Sequence, residues 1–120
     1  MAKILVVDDS ESTRRAICKM LMQYNHSAMN AENGKRALAI LDENLDIELI
    51  ITDVLMPEMD GIELIRELTE KYPDVPVVAM SGTNNVPYLQ IAEKLGAIET
   101  LEKPFESEQL FSLINKILYD

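Results

Sequence analysis

Short apolar runs alternate with amphipathic patterns along the whole chain. The runs KILVV (3–7), HSAMN (26–30), ELIIT (48–52), VPVVAM (75–80) and AIETL (97–101) have the length and composition of strands. Helical spacing of i, i+3, i+4, i+7 links Ile17, Met20, Leu21 and Tyr24, and again Leu110, Leu113, Ile114 and Ile117 near the C-terminus. Leu38 with Leu41 predicts a helix over 34–43, and Leu64, Ile65 and Leu68 predict one over 61–71. A weaker pattern over 86–95, carrying Leu89, Ala92 and Leu95, stops at Gly96, a residue suited to a helix C-terminus. Pro87 falls in the first turn of that helix, where its missing N–H costs little.

Strands that are apolar on both faces and separated by helices imply an α/β fold, a doubly wound parallel sheet covered on both sides. The first, third and fourth runs are the most apolar and belong at the centre; HSAMN and AIETL carry more polar residues and belong nearer the edges. The expected sheet has five strands in the order 2-1-3-4-5, flanked by five helices, and ligands of such sheets bind beyond the carboxyl ends of the strands where the order reverses.

Composition narrows the class. A chain of 120 residues, 48% hydrophobic, suits a single domain over 1–120 with one core. No run approaches the length of a membrane span, and no leader with a cleavage site opens the chain, so the expectation is a cytoplasmic protein without membrane insertion. Eleven cationic against 21 acidic side chains give a net charge of −10, which argues against direct nucleic-acid binding. The single cysteine, Cys18, has no internal disulfide partner and is expected to be a core thiol of the first helix. The acidic stretch DENLDIE (42–48) is expected to be a solvated connection.

The candidate chemistry lies where the strands end. The first strand runs into Asp8 and Asp9 and the third into Asp53, while the fourth is followed by Ser81 and Gly82 and the fifth by Lys103 and Pro104. If the strands are ordered as above, three carboxylates, a hydroxyl and an ammonium meet at one rim. Carboxylates brought together raise one another's pKa, and a divalent cation removes the conflict. Oxygen ligands without a nearby His or Cys favour Mg2+. One carboxylate could then act as a nucleophile toward phosphorus, with Lys103 and Ser81 available to phosphate oxygens, so the set reads as an aspartyl-phosphate site. The competing structural readings are Asp8 and Asp9 as helix-capping residues, Ser81 as the cap of the fourth helix, and Lys103 as a surface lysine. His26 starts an edge strand away from this rim and is read as structural or surface.

In order and spacing, VVDDSESTRR, AENGKRAL, LIITDVLMPEMDGIEL, AMSG and LEKPF resemble a response-regulator receiver domain of two-component signalling, similar to the single-domain chemotaxis regulators. The match spans essentially the whole chain. The family's fold is flavodoxin-like with this same strand order, so the two expectations are one. The resemblance implies Asp53 as phosphoacceptor, Ser81 and Lys103 as groups holding the phosphoryl oxygens, and Mg2+ bound by Asp9, by Asp8 largely through water, by Asp53 and by the backbone carbonyl of Leu55. It implies a cis Lys103–Pro104 bond and a turn behind Asp53 formed by Met56, Pro57, Met59, Asp60 and Gly61; Met56 and Met59 are expected to be buried under it.

The implied partners are a histidine kinase or histidine phosphotransfer domain and a downstream protein target met through the face of the fourth helix, fifth strand and fifth helix (the 4-5-5 face), with the chain a monomer. The implied function is a stand-alone switch that is no enzyme beyond self-phosphorylation and autodephosphorylation, with chemotaxis or motility as its process. A receiver within a longer regulator or hybrid kinase is the alternative.

Two positions depart from the family pattern. Thr100 stands where an aromatic is usual, and its side chain has no ring to turn inward on phosphorylation. Leu55 has no group to hydrogen-bond an attacking water, whereas Thr83 has. Leu55 also argues against a phosphohydrolase with an aspartyl nucleophile, because haloacid-dehalogenase-type enzymes carry a second Asp at that place. A flavin protein of the same topology needs a Ser/Thr/Gly-rich loop after the first strand, and DDSES would repel the flavin phosphate.

Overall fold

The computed structural model describes residues 2–56, 61–82 and 86–119. Five strands alternate with five helices: β1 (Lys3–Val7), α1 (Glu11–Gln23), β2 (Ser27–Ala31), α2 (Gly34–Glu43), β3 (Leu49–Asp53), α3 (Gly61–Lys71), β4 (Val77–Gly82), α4 (Val86–Leu95), β5 (Glu99–Lys103) and α5 (Ser107–Tyr119). All neighbouring strands pair in parallel, in the order β2-β1-β3-β4-β5. The central strands are buried almost throughout and the two edge strands only in part, as their composition requires.

The pleat sends alternate residues into two separate cores. Leu5, Val7, Ile50 and Ala79 face α2, α3 and α4, meeting Leu41, Leu64, Leu68 and Ala92. Ile4, Val6, Ile51 and Met80 face α1 and α5, meeting Ile17, Leu21, Leu110 and Ile114. Each of the larger aliphatic side chains among these, fully buried, contributes on the order of 1.5–3 kcal/mol of transfer free energy. Tyr24 stacks on Phe111 with ring centroids 4.1 Å apart and joins the end of α1 to α5. Gly96 has φ of 129°, a conformation that favours glycine, and there Thr69 of α3 donates to the Leu95 carbonyl at 3.1 Å.

Several elements are displaced from their sequence-based limits, and each displacement has a cause. VPVVAM begins two residues before β4 and AIETL two before β5, because Val75 and Ala97 are apolar for packing against the core, while Pro76, just ahead of β4, still accepts from the Ile50 N–H through its carbonyl at 3.0 Å. Ala97 lies just past α4 and closes its C-terminal end, its N–H donating to the Ala92 carbonyl at 3.0 Å. Tyr24 is the C-cap of α1 and not part of the helix. Cys18 is only half-buried, at the margin of the α1 core, and burial pushes its thiol pKa up. The acidic stretch 42–48 is not a uniform solvated connection: Asp42 and Glu43 end α2, Ile47 is buried, and Asp42 pairs with Lys71 at 3.0 Å and accepts from the Tyr72 hydroxyl. Among the described residues no helix is long and apolar enough to cross a membrane.

Candidate functional site

The registers bring the strand ends level. Val7 of β1 pairs with Thr52 of β3, Asp53 with Met80 of β4, and Gly82 of β4 with Lys103 of β5. Beyond β1 the chain turns sharply, with the Ser10 N–H donating to Asp8 Oδ1 at 2.9 Å and the Ser10 hydroxyl accepting from Thr13 N–H. Ser10 is therefore the N-cap of α1. Neither Asp8 nor Asp9 serves as that cap, which leaves their carboxylates for the rim.

One carboxylate oxygen from each of Asp8, Asp9 and Asp53 lies within 4.8 Å of the others. Asp8 is 1% exposed and Asp53 8%, while Asp9 faces solvent. Lys103 reaches in from β5, its Nζ 3.1 Å from Asp8 Oδ2 and 3.4 Å from Asp53 Oδ2. It is thus no free surface lysine. Its bond to Pro104 is cis, as the family resemblance implied. Ser81 is fully buried within β4, paired with Glu102, and so cannot cap α4. Leu55, two residues past Asp53, has a side chain 37% exposed. Met56 is buried; Pro57, Met59, Asp60 and Thr83 lie outside the described residues.

Burial pushes the Asp53 carboxyl above the usual range; Lys103 opposes that rise and Asp8 adds to it. Burial alone would lower the Lys103 ammonium, but Asp53 and Asp8 outweigh it and hold the ammonium above its ordinary value. Two buried carboxylates, Asp8 and Asp53, thus share the Lys103 ammonium, while the exposed Asp9 carboxylate adds a third negative charge to the cluster. This donor set fits a hard divalent cation: it is all oxygen, short of positive charge and open to solvent on the Asp9 side.

Two contributors to the geometry act through contacts across space that no local sequence pattern shows. A Cβ on Gly61 would collide with the Asp53 carbonyl oxygen and come within 2.6 Å of Val54 Cα, so α3 starts hard against the backbone that carries Asp53. The Gly61 N–H donates to the Val54 carbonyl at 3.1 Å, while the Val54 N–H donates to Asp53 Oδ1 at 2.9 Å and fixes the carboxylate. Arg14 of α1 donates through Nη1 to the Asp8 backbone carbonyl at 2.8 Å. His26 is remote from the rim and buried just before β2, its Nδ1 accepting from the Ala2 N–H at 3.0 Å. It is structural.

The model for the response regulator receiver domain matches residues 4–115. A chemotaxis protein CheY homolog of Campylobacter jejuni is 34% identical over 97% of this chain and 92% of its own length. Among solved structures, chemotaxis protein CheY4 of Vibrio cholerae superposes with a TM-score of 0.90 at 31% identity, covering 98% of this chain and 99% of that one. NtrX of Brucella abortus superposes with a TM-score of 0.93 at 30% identity over 98% of this chain, which spans only 27% of NtrX. The same unit therefore occurs nearly alone in some relatives and as one part of a longer chain in others. On its sequence, its fold and its converging strand ends, this chain belongs to the response regulator receiver domain family.

Proposed function

We propose that residues 1–120 are one receiver domain that accepts a phosphoryl group on Asp53 and then offers an altered surface to a protein target. Response regulator receiver domains act in phosphorelay signalling between histidine kinases and downstream effectors and are not classical enzymes. The observation that carries the proposal is the meeting of Asp8, Asp9 and Asp53 within 4.8 Å of one another, with the Lys103 ammonium paired to Asp8 and Asp53.

In the proposed reaction an Asp53 carboxylate oxygen attacks the phosphorus of a phosphohistidine on a histidine kinase or histidine phosphotransfer domain. The P–N bond breaks and the imidazole departs, neutral when its other nitrogen carries a proton. Lys103 and the Ser81 hydroxyl are the groups assigned to the transferred oxygens. The carboxylates of Asp8, Asp9 and Asp53 with the Leu55 backbone carbonyl would hold Mg2+, which when bound supplies positive charge against the crowded anions. The exposed apolar side chain of Leu55 offers no acid or base for turnover, which disfavours a phosphohydrolase.

Output is assigned to the 4-5-5 face of a cytoplasmic monomer, where α4 leaves Tyr88 and Ile91 exposed. Thr100 is half-buried in β5 beside Ala79, and turning it inward would bury little further surface. The switching energy is therefore assigned to phosphoryl contacts with Ser81 and Lys103. The chemotaxis names of the Campylobacter and Vibrio relatives support motility control as the process.

Labelling with a small acyl phosphate tests the proposal. Wild type should incorporate alkali-labile phosphate with Mg2+ and almost none in excess EDTA, and Asp9→Asn should label poorly under both conditions. Undiminished labelling in EDTA would remove the metal from the mechanism.

A further inference from the structure

The Asp8–Asp9 segment is held from outside the acidic cluster. Arg14 lies one turn into α1, and its forked guanidinium serves two acceptors: Nη1 donates to the Asp8 carbonyl at 2.8 Å and Nε donates to Asn30 Oδ1 at 3.2 Å. Asn30 belongs to the edge strand β2, where it pairs with Val6, and the Asp8 N–H is already tied to Ala31 of the same strand at 3.1 Å. The peptide groups on both sides of the Asp8 side chain are thus fixed to β2, one directly and one through the guanidinium. The Asp8 carboxylate itself is divided between the Ser10 N–H and Lys103.

We propose that Arg14, braced by Asn30, is a positioning residue for the cation site: it fixes the Asp8 carbonyl so that the Asp8 and Asp9 carboxylates stand ready before a metal arrives. This rests on the reading of Asp8, Asp9 and Asp53 as a Mg2+ site. Outer partners that orient ligands commonly change metal affinity by about 10- to 100-fold when removed.

The charge of Arg14 makes the proposal separable from simple electrostatics. A cation beside a dication site repels the metal, so deleting Arg14 for its charge alone would tighten Mg2+ binding. Loss of positioning weakens it. The two effects have opposite sign. Lysine keeps the charge but lacks the planar fork that reaches both acceptors.

The experiment is calorimetric Mg2+ titration of wild type, Arg14→Ala, Arg14→Lys and Asn30→Ala, with amide hydrogen exchange at Asp9 and Ser10 in the metal-free proteins. The expected result is Mg2+ binding weakened about tenfold in Arg14→Ala, several-fold in Arg14→Lys and least in Asn30→Ala. Exchange at Ser10 should quicken in the same order, with β4 and β5 amides unchanged. Unchanged or tighter Mg2+ binding by Arg14→Ala, or wild-type affinity in Arg14→Lys, would overturn the proposal. Should wild type itself fail to bind Mg2+, the metal reading falls, and unchanged Ser10 exchange in Arg14→Ala would show separately that Arg14 does not hold the segment.

Discussion

The two ends of this sheet are built from similar residues to opposite effect. At the carboxyl end, Asp8 and Asp53 are buried and ion-paired with Lys103, and the start of α3 is pressed so close that only glycine fits at position 61. At the amino end, Lys3 pairs with Asp46 at 3.1 Å and its N–H donates to Glu48 Oε2, with both acidic residues exposed. The buried titratable side chain there is His26, whose pKa burial pushes down and whose Nδ1 accepts a backbone N–H. One end keeps charge inside despite its desolvation cost; the other keeps charge outside and buries a neutral group. Partly desolvated, poorly compensated charge is what a site for a cation and a phosphoryl group requires, so the contrast supports the carboxyl end as the place of the proposed chemistry.

The comparison breaks most visibly at Gly61. Gly61→Ala forces a methyl into the Asp53 and Val54 backbone and should cost about 3 kcal/mol, read as a lowered denaturation midpoint. Next comes the buried ion pair. Lys103→Met leaves Asp8 and Asp53 without their counter-ion and should cost about 2 kcal/mol at pH 7, the usual penalty being discounted because Lys103 is partly exposed. Lys3→Met, breaking an exposed pair at the other end, should shift the same melt far less. Equal losses from the two lysine variants would erase the distinction between the ends.

Acid titration should expose the ends with opposite signs. Burial holds the folded-state pKa of Asp53 above the ordinary aspartate value, so the native protein keeps that proton to higher pH than the unfolded chain does. Its contribution to stability falls as pH rises through the folded value. Asp53→Asn should therefore raise the melting temperature at pH 7, with the gain disappearing toward pH 4 or about the unfolded carboxyl value. His26 has a folded-state pKa below 6.5, so its neutral burial favours folding above that pH and loses stability as pH falls below it. His26→Gln should remove that acid-side loss, at a cost of about 1 kcal/mol at pH 7 for the altered hydrogen bond. The smallest effect belongs to Gly82→Ala, whose added methyl meets nothing within 4 Å among the described residues and should change stability by less than about 1 kcal/mol.

The amino end was the less legible of the two in sequence. Asp8, Asp9, Asp53, Ser81 and Lys103 could be placed on one rim because apolar strands and a doubly wound order dictate where strands end, and the sheet has that order. Strand limits were less clear, since Val75 and Ala97 are apolar to fill space outside the ladder. Gly61 could be assigned to the turn behind Asp53, but the collision that excludes a side chain there is a contact across space that no local pattern encodes. Arg14 had no readable role for the same reason: its partner is a backbone carbonyl, which every residue possesses. His26 was expected to be structural or at the surface, and only the fold decides that it is buried.

The most direct measurement is to map the phosphoryl group by peptide mass spectrometry after acyl-phosphate labelling with Mg2+, on wild type and Asp53→Asn. The proposal predicts a single modified site at Asp53 in wild type and no acyl phosphate in Asp53→Asn. Phosphate recovered on His26 or on another residue, with Asp53 unmodified, would contradict it.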